Sequence, residues 1–79
     1  MARYRVLVFC TNCVRTHPVR ATLLLDDGPS EKATVADAYQ NKPLPPELIK
    51  LLKGDTLCPE LAKSVTLEDP NKVYLVPAD

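Results

Sequence analysis

The chain has 79 residues, ten acidic and ten basic side chains with a formal net charge of zero, and only four aromatics: Tyr4, Phe9, Tyr39 and Tyr74. That length supports one domain, residues 1–79, and excludes two; no apolar run is long enough to span a bilayer, so no membrane role is expected. A domain this small buries only about 60% of the surface its unfolded chain exposes, and a core of Val, Leu and Ala with so few rings favours an added staple such as a metal.

In chain order, Tyr4-Arg5-Val6-Leu7-Val8-Phe9 is rich in β-branched and aromatic residues and predicts a strand. Cys10-Thr11-Asn12-Cys13 follows as a tight turn. A second strand is expected over Val19–Leu25, stopped by Asp26-Asp27-Gly28-Pro29. The two strands make a hairpin whose tip region, Cys10 to Pro18, holds two cysteines and His17. With Arg5 opposite Arg20, both would share a face with Arg3, while Val6 and Val19 point to the other. Ser30 suits an N-cap for a helix over Glu31 to about Gln40, on which Val35, Ala36 and Tyr39 share one face. Pro43, Pro45 and Pro46 stiffen the next connector. A short helix from Pro46 to about Lys53 is expected, with Pro46 in its first turn and Gly54 as its C-terminal cap. Cys58-Pro59-Glu60-Leu61-Ala62-Lys63 predicts one helical turn with Cys58 as N-cap. Ser64–Leu67 and Lys72–Val76 read as a C-terminal hairpin across the turn signal Asp69-Pro70-Asn71. The fold class expected is therefore α+β: a small zinc-stabilised domain with an N-terminal β-hairpin carrying a CxxC knuckle, two short helices and a C-terminal β-hairpin.

Three cysteines, Cys10, Cys13 and Cys58, do not suit a closed disulfide framework. With no signal-peptide core ahead of them, they point to a reducing, cytoplasmic setting and to free or metal-bound thiols. Two cysteines two residues apart reach one tetrahedral ion from a single turn. A closed structural site needs four donors, and the chain holds one further cysteine, Cys58, and one histidine, His17. The expected zinc site is thus Cys10, Cys13, His17 and Cys58, with Asp55 or Glu60 as the alternative to His17. A thiolate at a helix N-cap has a lowered pKa, which supports Cys58. The competing reading makes Cys10 and Cys13 small buried thiols placed for packing. The knuckle on a hairpin, with a later cysteine at a helix start, resembles zinc-ribbon and treble-clef domains. Those usually carry two CxxC pairs, and Leu61 stands where the second cysteine of the second pair would fall.

Charge is unevenly placed. Arg3, Arg5, Arg15 and Arg20 are the only charged residues before Asp26, and every lysine lies after it. The expected function is a structural-zinc binding module whose arginine face meets a protein partner or nucleic acid, without catalysis. Overall neutrality and few stacking rings favour protein. The alternative is solvation of that face, or its packing against the acidic half. A second function class is a thiol–disulfide redox protein using Cys10 and Cys13. A strand running into Cys-Thr-Asn-Cys resembles the start of thioredoxin and glutaredoxin, but Pro18 and a β-rich segment follow where that fold needs a helix. No Gly-rich phosphate loop exists; the glycines are Gly28 and Gly54 alone.

Overall fold

The computed structural model describes residues 2–58, 60 and 62–78. Among them run β1 (Ala2–Cys10), β2 (Arg15–Leu25), β3 (Ala33–Thr34), α1 (Val35–Ala38), α2 (Pro46–Leu52), β4 (Asp55–Leu57), β5 (Ser64–Thr66) and β6 (Val73–Pro77). Four strands form an antiparallel sheet in the order β2-β1-β6-β3, and β4 pairs with β5 in a separate antiparallel ribbon. The fold is α+β, with mostly antiparallel strands and two short helices. No helix among the described residues is long and apolar enough to cross a membrane.

The core follows from strand alternation. Strand β1 lies between β2 and β6 and sends Tyr4, Val6, Val8 and Cys10 to one face, all buried. Val73 and Leu75 of β6 lie beside Val8 and Val6 on that same face. Leu23, Leu25, Val35, Tyr39, Leu48 and Leu67 complete the cluster. Each such apolar side chain contributes roughly 1.5–3 kcal/mol by leaving water. The opposite face of β1 carries exposed Arg3 and Arg5 and half-buried Leu7 and Phe9.

The first hairpin forms as expected, with a different register. Val6 pairs with Val19, but Arg5 pairs with Thr22 rather than Arg20, so Arg20 and Ala21 are inserted into β2. Inserting two residues keeps side-chain alternation in step, because the pleat has a period of two. Ala21 therefore packs toward the core and Arg20 stays outside with Arg5.

The two helices need three corrections. The helix from Glu31 to Gln40 is reduced to the single turn α1. Ala33 and Thr34 are drawn into the sheet beside Leu75 and Tyr74, so the helix starts only afterwards. Its N-cap is Thr34, whose Oγ1 accepts from the Asp37 N–H at 3.1 Å, not Ser30. Helix α2 starts at Pro46 as expected but ends on Lys53 in right-handed conformation; Gly54 does not adopt the left-handed cap.

The C-terminal hairpin does not exist as a pair. Strand β6 joins β1 and β3, and β5 joins β4. The turn at Asp69 is present: the Lys72 N–H donates to the Asp69 carbonyl at 3.0 Å, and the Asn71 N–H to Asp69 Oδ1 at 2.9 Å. It connects strands of different sheets. Val73 and Leu75 are fully buried and gain that burial beside β1, which Ser64-Val65-Thr66 could not supply. Of the expected helical turn at Cys58, the described residues keep one closing bond, from the Ala62 N–H to the Cys58 carbonyl at 2.7 Å. Its proposed first residue, Pro59, and Leu61 lie outside the described residues.

Candidate metal centre

Three segments meet at one end of the sheet. Cys10 is the last residue of β1, on its core face. The turn Thr11–Val14 then carries Cys13 back toward it, and Val14 takes φ 56°. A β-branched residue in the left-handed region is strained, so this turn is held by its surroundings. His17 stands opposite Val8 on β2 and therefore also faces the core. Cys58 follows β4 directly, and its backbone is clamped on both sides. Its N–H donates to the Lys63 carbonyl at 2.8 Å, and its carbonyl accepts from Ala62.

The donor atoms of Cys10, Cys13, His17 and Cys58 all lie within 4.8 Å of one another, close enough to hold one metal ion. Cys58 Sγ is 3.8 Å from Cys13 Sγ and 3.5 Å from His17 Nε2. Cys13 Sγ and His17 Nε2 make a thiol–imidazole contact at 2.6 Å, with the donor set by the tautomer. Cys10 and Cys58 are buried to within 1% of full exclusion, His17 is buried, and Cys13 is half-buried. All three cysteines are free thiols. The carboxylates weighed against His17 are engaged elsewhere: Glu60 with Arg15 at 3.0 Å and Asp55 with Ser64 Oγ at 2.7 Å.

The thiols resist carrying more than one negative charge together. Burial opposes ionisation of Cys10, yet the N–H groups of Cys13 and Asn12 and the neighbouring thiols hold its pKa below the ordinary value. Burial, hydrogen bonds to Cys10 and Cys58, and the negative charge of those sulfurs push Cys13 up to about 12. One thiolate is therefore accommodated and the next is resisted. A bound cation reverses that resistance.

The arginines separate into two groups. Arg15 pairs across from Cys10, on the cluster's side of the sheet, and reaches Glu60 in the β4–β5 connection. Arg5 and Arg20 lie on the opposite face with Arg3. The Arg15–Glu60 link was not legible beforehand, because it joins positions 45 residues apart. Among the described residues the two most exposed large apolar ones, Val14 at 73% and Leu57 at 68%, each adjoin a cluster cysteine in the sequence. Among known proteins the chain matches no family model, no curated protein and no solved structure.

Proposed function

We propose that the chain is a structural-zinc binding module. The observation that carries this reading is the convergence of three thiols and one imidazole from three separate segments. Sulfur and imidazole donors suit zinc rather than calcium or magnesium. For Zn–S near 2.3 Å and Zn–N near 2.0 Å, a tetrahedron has S···S edges of about 3.8 Å and S···N edges of about 3.5 Å. The two Cys58 distances, 3.8 and 3.5 Å, agree with those edges. The Cys13–His17 contact at 2.6 Å is shorter, so binding requires those two to separate by about 1 Å. Four protein donors leave no coordination position for water, which favours a structural role over hydrolysis. Zinc would join the CxxC turn and β2 to the β4–β5 ribbon, in the manner of a knuckle.

The test is metal content of the purified chain, then chelation followed by circular dichroism. About one zinc per chain and loss of structure on chelation are expected; a metal-free chain that keeps its cooperative unfolding sinks the reading. The partner surface proposed is the outer face bearing Arg3, Arg5 and Arg20, directed at an acidic protein segment. Salt-sensitive retention on an immobilised polyglutamate peptide should fall for Arg5→Glu/Arg20→Glu while the fold is kept. Stronger retention on an oligonucleotide would reassign the partner to nucleic acid.

A further inference from the structure

At the other end of β2 a cleft of about 520 Å³ opens between Leu24, Tyr39 and the proline connector that leads into α2. Small-molecule pockets measure about 300–1,000 Å³. Its walls are apolar, from Leu24, Leu44 and Pro45, and its charged groups include Asp27, Lys42 and Glu47. Tyr39 lines it at 8% exposure, and its hydroxyl oxygen is buried with no hydrogen-bond partner. A buried hydroxyl left unpaired is unfavourable, and a small shift of the Tyr39 side chain that opens it to the cleft lets a ligand donor relieve it.

We propose that this cleft binds a primary ammonium group carried on an unbranched apolar stem. The stem lies on the Leu and Pro walls. The ammonium has three N–H donors: Tyr39 Oη accepts one, and the carboxylates of Asp27 and Glu47 accept the others. Burial raises the Tyr39 pKa, and the negative charge of Asp27 raises it further, so the phenol stays neutral and able to accept. Lys42 Nζ already contacts Asp27 Oδ2 at 3.4 Å, and both side chains are at least half exposed. Such a pair is weak and exchangeable, so it marks where a second ammonium competes rather than a block to entry. The charged residues of the lining, Asp26, Asp27, Glu47 and Lys42, sum to a net negative charge, which argues against an anionic ligand. The cleft borders Leu24 and Leu25, whereas the metal cluster uses His17, near the opposite end of the same strand. The proposal therefore does not rest on the metal reading.

The ammonium could arrive on a free alkylamine or on a lysine side chain, and one experiment separates them. The purified chain is titrated by ¹H–¹⁵N NMR with hexylamine, 1-hexanol, ethylamine and N-acetyl-lysine-N-methylamide. Hexylamine should shift Asp27, Tyr39 and residues 42–47 with a Kd on the order of 1 mM, from the binding expected of so few atoms. Hexanol lacks the charge and ethylamine lacks the stem, so each should bind at least about tenfold more weakly. Binding of the lysine derivative equal to hexylamine assigns the site to peptide-borne lysine; weaker binding assigns it to free amines. Tyr39→Phe and the exposed Glu47→Gln should each weaken hexylamine about tenfold with the spectrum otherwise folded. Equal binding of hexanol and hexylamine, or unchanged hexylamine affinity in both variants, overturns the proposal.

Discussion

The two ends of β2 are held by different physics. Around Leu23 and Leu25 the strand joins Tyr4, Tyr39 and Leu48 in the hydrophobic cluster, held chiefly by exclusion of water. Around Arg15 and His17 the buried neighbours include Cys10 and Cys58, small or polar side chains with little area to bury, while Val14 and Leu57 remain in solvent. A chain with four aromatics closes one end with its core and gathers at the other a Cys3His group positioned to hold a metal ion. That contrast also places the strained Val14 turn, since the cluster end is where a turn must be forced rather than packed.

The contrast can be broken by substitution. The largest effect is expected at the cluster. Structural zinc is worth on the order of 10 kcal/mol in small domains, so Cys58→Ala should abolish cooperative melting at neutral pH; an unaltered melting curve with and without chelator would place both ends on the same apolar footing. At the other end, Leu48→Ala opens a cavity under a fully buried side chain and should cost about 2–5 kcal/mol. It should leave zinc stoichiometry unchanged, and loss of metal in this variant would show that the ends are not separable. Gly28→Ala is smaller, about 1–3 kcal/mol of overpacking. A methyl at position 28 would meet the Tyr4 ring and hydroxyl at 2.5 Å, and that hydroxyl is tied to the Pro29 carbonyl at 2.8 Å. Urea denaturation measures this cost, and a stability equal to the parent would mean that Tyr4 can move freely. The smallest effect belongs to Arg15→Ala. The Arg15–Glu60 pair is largely exposed, so its loss should cost under about 1 kcal/mol; a drop comparable with Leu48→Ala would make it part of the cluster's support.

Much of the hairpin and the donor set was legible because its signals are local. The CxxC spacing, the alternation in β1 and the scarcity of other sulfur and imidazole donors each depend on neighbouring residues or on simple counting. The failures came where a local preference competed with a distant one. Ser30 and Glu31 suit a helix start, but Ala33 and Thr34 gain a strand partner in β6. The Asp69-Pro70-Asn71 turn forms, yet a turn signal does not say whether the strands it joins pair with each other. Asp55-Thr56-Leu57 is too short to read as a strand without its partner Ser64-Val65-Thr66. The Tyr39 cleft gave no signal at all, since its walls come from the end of β2, the residue that caps α1, the proline connector and the start of α2.

By itself the sequence carried the α+β mix of short strands and helices, the scarcity of rings, and three cysteines and one histidine available as soft donors. Those are properties of composition and of periods two to four residues long. Tertiary structure decided the register of β2, the partner of each C-terminal strand, the separation of Arg15 from Arg3, Arg5 and Arg20, and the meeting of Cys58 with Cys10, Cys13 and His17. Each of these depends on which distant segments bury the most apolar surface together, and no local preference along the chain carries that information.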